Sequence, residues 1–155
     1  MEIIAYGPFS VIGKEGSTRD GDGFIARLWE DANGHFHEVS HLAKRDVNGN
    51  LVGVWGLMTD FSRRFLPWQE DFTQGLYLAG VECRDDAEAP SGWVKWTVPG
   101  FVFLKVKNDG DNVFLSTVQA LPDMGYRLSG AVQDYTCPTT GEAYMLFPVK
   151  PLKEE

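Results

Sequence analysis

Hydrophobic and polar positions along the chain change period several times, and each change marks an element. Residues 8–17 alternate enough to make a first strand. The polar break 18–23 can cap a helix: from Phe24 the apolar residues Phe24, Ile25, Leu28 and Trp29 fall at helical spacing, with Ala32 after them. Phe36, Val39 and Leu42 could extend that face, with Asn33-Gly34 as an interruption. Asp46 to Asn50 is a strong turn, and 51–58 reads as a strand carrying Gly53 and Gly56. Glycine inside a strand marks a bend or a place of close backbone approach. Residues 59–71 form a long irregular connection, of the kind that often serves as a lid. Another strand comes at 76–83, with Glu82 in an otherwise apolar run, and 84–92 is an acidic linker with Pro and Gly.

The pattern then starts again. Residues 93–98 alternate, Pro99-Gly100 bends the chain, and 101–106 continues as strand. Asn108 to Asn112 caps a helix over 112–121 containing Val113, Phe114, Val118 and Leu121, and Pro122 to Gly125 ends it. Strands at 127–135 and 143–149, joined by a turn with Pro138 and Gly141, complete the half. Each half reads strand, helix, strand, strand, and Gly53 and Gly130 hold similar places. This repetition implies an internal duplication, with pseudo-repeats at about 1–85 and 92–152 inside one domain, 1–155. The fold class is α+β: two βαββ units, both helices on one face of an antiparallel sheet, and a cleft between the halves where a ligand can settle.

Composition narrows the partners. The 155 residues carry a formal charge of −8, with Lys and Arg scattered, which opposes nucleic-acid binding. No basic segment followed by an apolar run suggests a secretory signal, and no apolar stretch approaches the roughly 20 residues that span a bilayer. Two cysteines, Cys83 and Cys137, in a chain 43% apolar read as free thiols, so a soluble cytoplasmic protein is expected. His35, His37 and His41 cluster, with 37 and 41 able to share a helix face, but no metalloprotease signature accompanies them. They read as surface histidines, with no metal and no cofactor. The glycines at 21 and 23 lack the Lys-Ser/Thr of a phosphate loop.

The informative residues are polar groups set among β-formers: Gln133, Asp134 and Tyr135 near the end of one strand and Tyr144 in the next. Ten Phe, five Tyr and five Trp supply enough aromatic surface for a core or for a ligand pocket.

Several segments together resemble the GyrI-like small-molecule-binding family, the effector-binding domains of AraC- and MerR-type regulators. They are Tyr77 to Glu82, Ala89 to Trp93, the Trp96 to Gly100 bend, Gly130 to Tyr135 and Phe147 to Val149. The resemblance runs over essentially the whole chain and implies an eight-stranded, pseudosymmetric, SOUL-like fold with a central pocket for bulky, often cationic or planar molecules. The family usually presents a glutamate two residues before a tyrosine, where this chain has Gln133 before Tyr135. Either Glu82 or Asp134 can supply the charge instead; alternation sends Gln133 and Asp134 to opposite faces, and the pattern leaves open which one faces the pocket.

The resemblance, without a DNA-binding segment in this chain, implies a stand-alone binding, sensor or sequestering module for a hydrophobic or cationic aromatic compound. Its pocket walls are expected from Trp55, Tyr77, Trp96, Phe103, Tyr135 and Phe147, with Glu82 first and Asp134 second as the carboxylate. A hydrolase of the same fold is the alternative, with Glu82 or Asp134 positioning water and Tyr135 or Tyr144 as the acid; no nucleophile–histidine–acid set supports it. A third reading is a protein-binding, gyrase-inhibitor-like modulator whose acidic surface meets a basic partner.

Overall fold

The computed structural model describes residues 1–152 and shows one eight-stranded antiparallel sheet with helices on one face. The strands are β1 (Glu2–Tyr6), β2 (Phe9–Ser17), β3 (Val54–Thr59), β4 (Leu76–Cys83), β5 (Val94–Val98), β6 (Phe101–Lys107), β7 (Gln133–Thr136) and β8 (Ala143–Pro151). Two helices lie among them, α1 (Phe24–Gly34) and α2 (Val113–Ala120). A further one-turn helical segment, Gln69–Phe72, has left-handed angles at Glu70 and Asp71.

The strand order is β1-β6-β8-β7-β3-β4-β2-β5. Exchanging β1 with β5, β2 with β6, β3 with β7 and β4 with β8 reverses this order and leaves the sheet unchanged. The two βαββ units meet where β3 pairs with β7, at Val54↔Thr136, Trp55↔Tyr135 and Gly56↔Asp134. Each unit also lends a strand to the other. β1 precedes the first unit but pairs with β6 of the second, and β5 precedes the second but pairs with β2 of the first.

This exchange forces the sheet to roll. β1 stands first in the order and β2 seventh, yet only Gly7 and Pro8 separate them; Pro99 and Gly100 join β5 to β6 in the same way. A two-residue link spans under about 10 Å, whereas six strand spacings in a flat sheet come to about 29 Å. The helix-free face is therefore the inside of a nearly closed roll. The links pass each other so closely that a Cβ on Gly7 would sit 3.0 Å from Cα of Gly100. Gly7 also has φ +99°, where a side chain is strained, so glycine is required there twice over.

Inside the roll, Phe9, Val11, Trp55, Leu57, Leu78, Trp96 and Phe103 form one buried cluster. Outside it, α1 covers Ile12, Ala79 and Val81 of the first unit, and α2 covers Leu104, Phe147 and Val149 of the second. Burying side chains of this size stabilises by about 1.5–3 kcal/mol each, which holds helices too short to stand alone. Along β4 the alternation is explicit: Leu76 and Leu78 join the interior cluster while Tyr77, Ala79 and Val81 join the cluster beneath α1.

Four sequence expectations are corrected. The segment Glu2–Tyr6, not recognised as a strand, is β1, because its short Ile3-Ile4-Ala5-Tyr6 run pairs at the edge with β6. The polar break 18–23 caps a 3-10 turn rather than α1: the Ser17 hydroxyl accepts from Arg19 N at 3.0 Å and Asp20 accepts from Ser17 N at 2.8 Å. Helix α1 itself begins after Gly23, with no side-chain cap, and stops at Gly34, so Phe36 to Leu42 form two separate 3-10 turns. The strand expected at 127–135 is regular only over Gln133–Thr136. Before it, Ser129 N donates to Pro148 O and Ala131 N to Phe65 O, so the chain is bonded to two different neighbours instead of one ladder.

Candidate functional site

Glu82 is the chemical centre of the rolled interior. It lies on β4 opposite the helices, and it is 1% exposed. Its Oε2 accepts from the Tyr6 hydroxyl at 2.6 Å and its Oε1 from the Trp55 indole N–H at 2.9 Å. Tyr6 is on the first strand of the sheet and Glu82 on the sixth, so the contact exists only because the sheet is rolled. Neither donor is cationic, and among the described residues no Lys, Arg or His lies within ion-pair distance of Glu82. Burial, together with the neighbouring Glu82 carboxylate, pushes the Tyr6 phenol far above its ordinary range, so it stays a donor.

Aromatic rings surround this pair. Trp55 packs 4.5 Å from Phe9, 4.9 Å from Tyr135 and 6.1 Å from Tyr6, centroid to centroid. Tyr135 donates to Val52 O at 3.1 Å, and burial raises its pKa to about 12. Gly53 makes the crowding possible: a Cβ there would lie 2.6 Å from the Trp55 indole nitrogen, 3.0 Å from the Tyr135 ring and 3.2 Å from Glu82 Oε1.

Beside these rings is a cavity of about 160 Å³, lined by Ile4, Tyr6, Val52, Trp55, Lys105, Tyr135 and Leu146. The two side chains that bond Glu82 thus stand between it and the cavity. Lys105 is the cation at this wall; its Nζ sits 4.3 Å from the Tyr144 ring centre and 5.5 Å from that of Tyr135, and 3.8 Å from Glu2. Rings already placed to accept one ammonium group can accept another.

The eight side chains expected to form one site fall on both faces of the sheet. Trp55, Glu82, Trp96, Phe103 and Tyr135 are inside the roll. Trp55 and Tyr135 line the cavity, Phe103 is fully buried in the core, and Trp96 lines a separate opening with Thr59, Arg63 and Phe65. There Glu15 accepts from the Trp96 indole at 2.8 Å and pairs with Arg63 at 2.6 Å, and the Arg63 hydrogen bond lowers the Glu15 pKa. Tyr77, Phe147 and Asp134 are on the other face, under the helices. Strand alternation separates them: Asp134 pairs with Met145, whereas Gln133 and Tyr135 pair with Leu146 and Tyr144. Gln133 faces inward, but its amide is consumed by the backbone of Met58, accepting from N at 2.6 Å and donating to O at 3.0 Å.

Sequence reasoning missed Tyr6, Val52 and Lys105. Lys105 was legible, since Phe101, Phe103 and Lys105 alternate on one face of β6; Tyr6 was not, because nothing local says that β1 crosses to the far edge. Both cysteines are free. Among the described residues no group of His, Cys, Asp and Glu could hold a metal ion, and no helix is long and apolar enough to cross a membrane.

No known protein family matches the sequence, and no curated protein matches it. Solved structures do match in shape. One is SAV2435 bound to tetraphenylphosphonium, 11% identical, covering 96% of this chain and 93% of that one with a TM-score of 0.55. Another is the integron cassette protein VCH_CASS2 from the mobile metagenome of Vibrio cholerae, 14% identical, covering 96% and 94% with a TM-score of 0.52. The chain shares their fold. At these identities the likeness extends to the path of the chain and not to individual side chains.

Proposed function

We propose that the protein is a stand-alone small-molecule-binding module of the GyrI-like kind, which takes a hydrophobic, cationic aromatic molecule into the rolled sheet. The observation that carries this reading is Glu82: a buried carboxylate ringed by aromatic groups and bonded only to neutral donors. Such a group gains most from a cation brought close in low dielectric. The aromatic walls add roughly 0.5–2 kcal/mol for each good cation–π contact. The fold shared with a protein bound to tetraphenylphosphonium supports the same chemistry.

The cavity, about 160 Å³, holds about one aromatic ring, since apolar cavities of about 150 Å³ take up benzene. A larger cation reaches Glu82 only when the Tyr6 side chain swings out of the roll. Benzyltrimethylammonium and its uncharged isostere neopentylbenzene separate charge from shape. At concentrations near 100 times Kd the cation is expected to raise Tm by roughly 5–10 °C. The hydrocarbon at equal concentration should raise it much less. No rise with the cation at any soluble concentration contradicts the proposal.

A further inference from the structure

The long connection between β3 and β4 plays no part in the Glu82 site, yet its backbone is heavily contorted. Arg63, Phe65, Glu70, Asp71 and Phe72 all have left-handed φ, the last three in a row, a conformation that non-glycine residues adopt sparingly. Specific bonds hold each bend. The Asp60 carboxylate accepts from Arg64 N at 3.0 Å, Leu66 N at 3.2 Å and both the amide and hydroxyl of Ser62. Further on, Gln69 N donates to Gln74 O at 2.8 Å, Gln74 N donates back to Gln69 O at 3.0 Å, and the Thr73 hydroxyl closes on Glu70 O at 2.6 Å. Trp68 is locked by its indole N–H on Leu76 O at 3.0 Å, and its ring occupies the place a Cβ on Gly75 would need. Backbone strain of this kind persists only where the surroundings over-determine it, and it gathers at ligand clamps.

The product of this shape is a cover. Pro67, Trp68 and Phe72, with Met58 of β3, face Phe114, Val132 and Met145 of the second unit across a half-open cavity of about 200 Å³. Phe72 meets Phe114 of α2 edge-on at 5.0 Å, and Phe114 stacks on Phe147 at 6.1 Å, so the cover is continuous with the core beneath α2. A first-unit segment is thus held in a costly backbone shape to wall a space over the second unit. The matching connection of the second unit, residues 137–142, is only a short turn.

We infer that this cavity is a second binding site, for a small uncharged molecule built on one apolar ring, held between Met58, Val132 and Met145 on the sheet and Trp68 and Phe72 of the cover. The volume suits one substituted ring, since apolar cavities of about 150 Å³ take up benzene. Every lining side chain is apolar except for the Trp68 indole N–H, and that donor is already spent on Leu76 O. A hydroxyl on the ligand would give up its water and gain no partner from these side chains, at a cost of about 1–3 kcal/mol. A charged group would lose more. The two methionines add a deformable, polarizable surface that suits rings of differing outline.

The test uses the full chain with carbon-13 labelled methionine methyls. Met58 and Met145 line this cavity, whereas Met1 and Met124 do not, and the cavity beside Glu82 has no methionine in its wall. Ethylbenzene should shift the Met58 and Met145 signals saturably and bind about ten-fold or more tighter than benzyl alcohol. Phe72→Ala removes a half-buried ring of the cover and leaves the sheet intact, so ethylbenzene should bind about five-fold more weakly, the worth of one lost aromatic contact. Val132→Phe fills the space from the sheet side and should abolish the shifts; if it does not fold, Phe72→Ala decides alone. Unmoved Met58 and Met145 signals, benzyl alcohol binding as tightly as ethylbenzene, or unchanged ethylbenzene affinity in Phe72→Ala would each overturn the assignment. The cavity is on the opposite face of the sheet from Glu82, so its failure leaves the cation-binding proposal untouched.

Discussion

Glu82 and Asp134 are both sheltered carboxylates near the middle of one sheet, and they differ in everything else. Glu82 points into the roll with both oxygens bonded, to Tyr6 and Trp55. Asp134 points under the helices with Oδ1 unbonded, close to Tyr77 and its Trp29 donor. The difference separates structural integration from chemical readiness. The first acid is woven into a hydrogen-bonded aromatic wall, so removing it breaks that wall. The second contributes nothing to the wall around it, so removing it relieves a cost.

The largest effects should come from crowding each acid's neighbourhood. A Cβ on Gly56 would meet the Tyr77 phenol, with Cζ only 2.8 Å away, and a Cβ on Gly53 would meet the Trp55 indole. Gly56→Ala is expected to cost about 3 kcal/mol and Gly53→Ala about 2 kcal/mol, as overpacking in rigid cores does. Chemical denaturation measures both. Only Gly53→Ala should also change the Trp55 fluorescence environment in the native state.

Substituting leucine for each acid sharpens the contrast by sign. Glu82→Leu strands the Trp55 N–H and the Tyr6 hydroxyl, and should destabilise by about 1–3 kcal/mol. Asp134→Leu removes a desolvated, unpartnered group and should stabilise by about 1–2 kcal/mol at neutral pH. Two changes of the same sign would dissolve the distinction.

Asp134 makes a contribution to the pH dependence opposite in sign to that of Asp60 and Glu15, whose carboxyl pKa values are lowered on folding. Burial raises the Asp134 pKa from 3.8 to about 6 on folding. Between about pH 4 and 6 this group therefore holds more proton in the folded chain than in the unfolded one, and its contribution to stability falls as pH rises through that window. The loss is at most about 3 kcal/mol, from roughly 1.4 kcal/mol per pKa unit. As pH rises across this range, the urea midpoint of the natural protein should fall relative to that of Asp134→Asn; parallel curves would place the acid in solvent.

Much of this architecture was legible in the chain, and the part that was not has a definite cause. Local periodicity marked Phe24 to Trp29 as the start of a helix and Leu76–Cys83 as a strand, because each buries a face against its immediate neighbours. Alternation also showed that Gln133 and Asp134 part company, without saying which way. Period and propensity do not carry long-range exchange. Tyr6 reaches Glu82 only because β1 pairs with β6, some 100 residues away. A single site assembled from Tyr77, Phe147 and Asp134 together with Trp55 assumed one open groove. A rolled sheet has an inside and an outside, and those residues are divided between them.

A smaller effect is expected at the cavity wall. Lys105 already occupies the Tyr144 and Tyr135 faces, so Lys105→Gln frees them and removes a like charge. Affinity for benzyltrimethylammonium should rise about three- to ten-fold, in line with roughly 0.5–1.5 kcal/mol for one such contact. Calorimetric titration at low and physiological salt measures it.

The most direct measurement of the central claim is the affinity ratio of benzyltrimethylammonium to neopentylbenzene in the natural protein and in Glu82→Gln. An enclosed carboxylate that selects cations predicts a ratio of about ten or more that collapses toward one in the variant, with hydrocarbon affinity nearly unchanged. A ratio that survives the substitution, or equal losses for both molecules, would contradict it and leave Glu82 as a structural link between Tyr6 and Trp55.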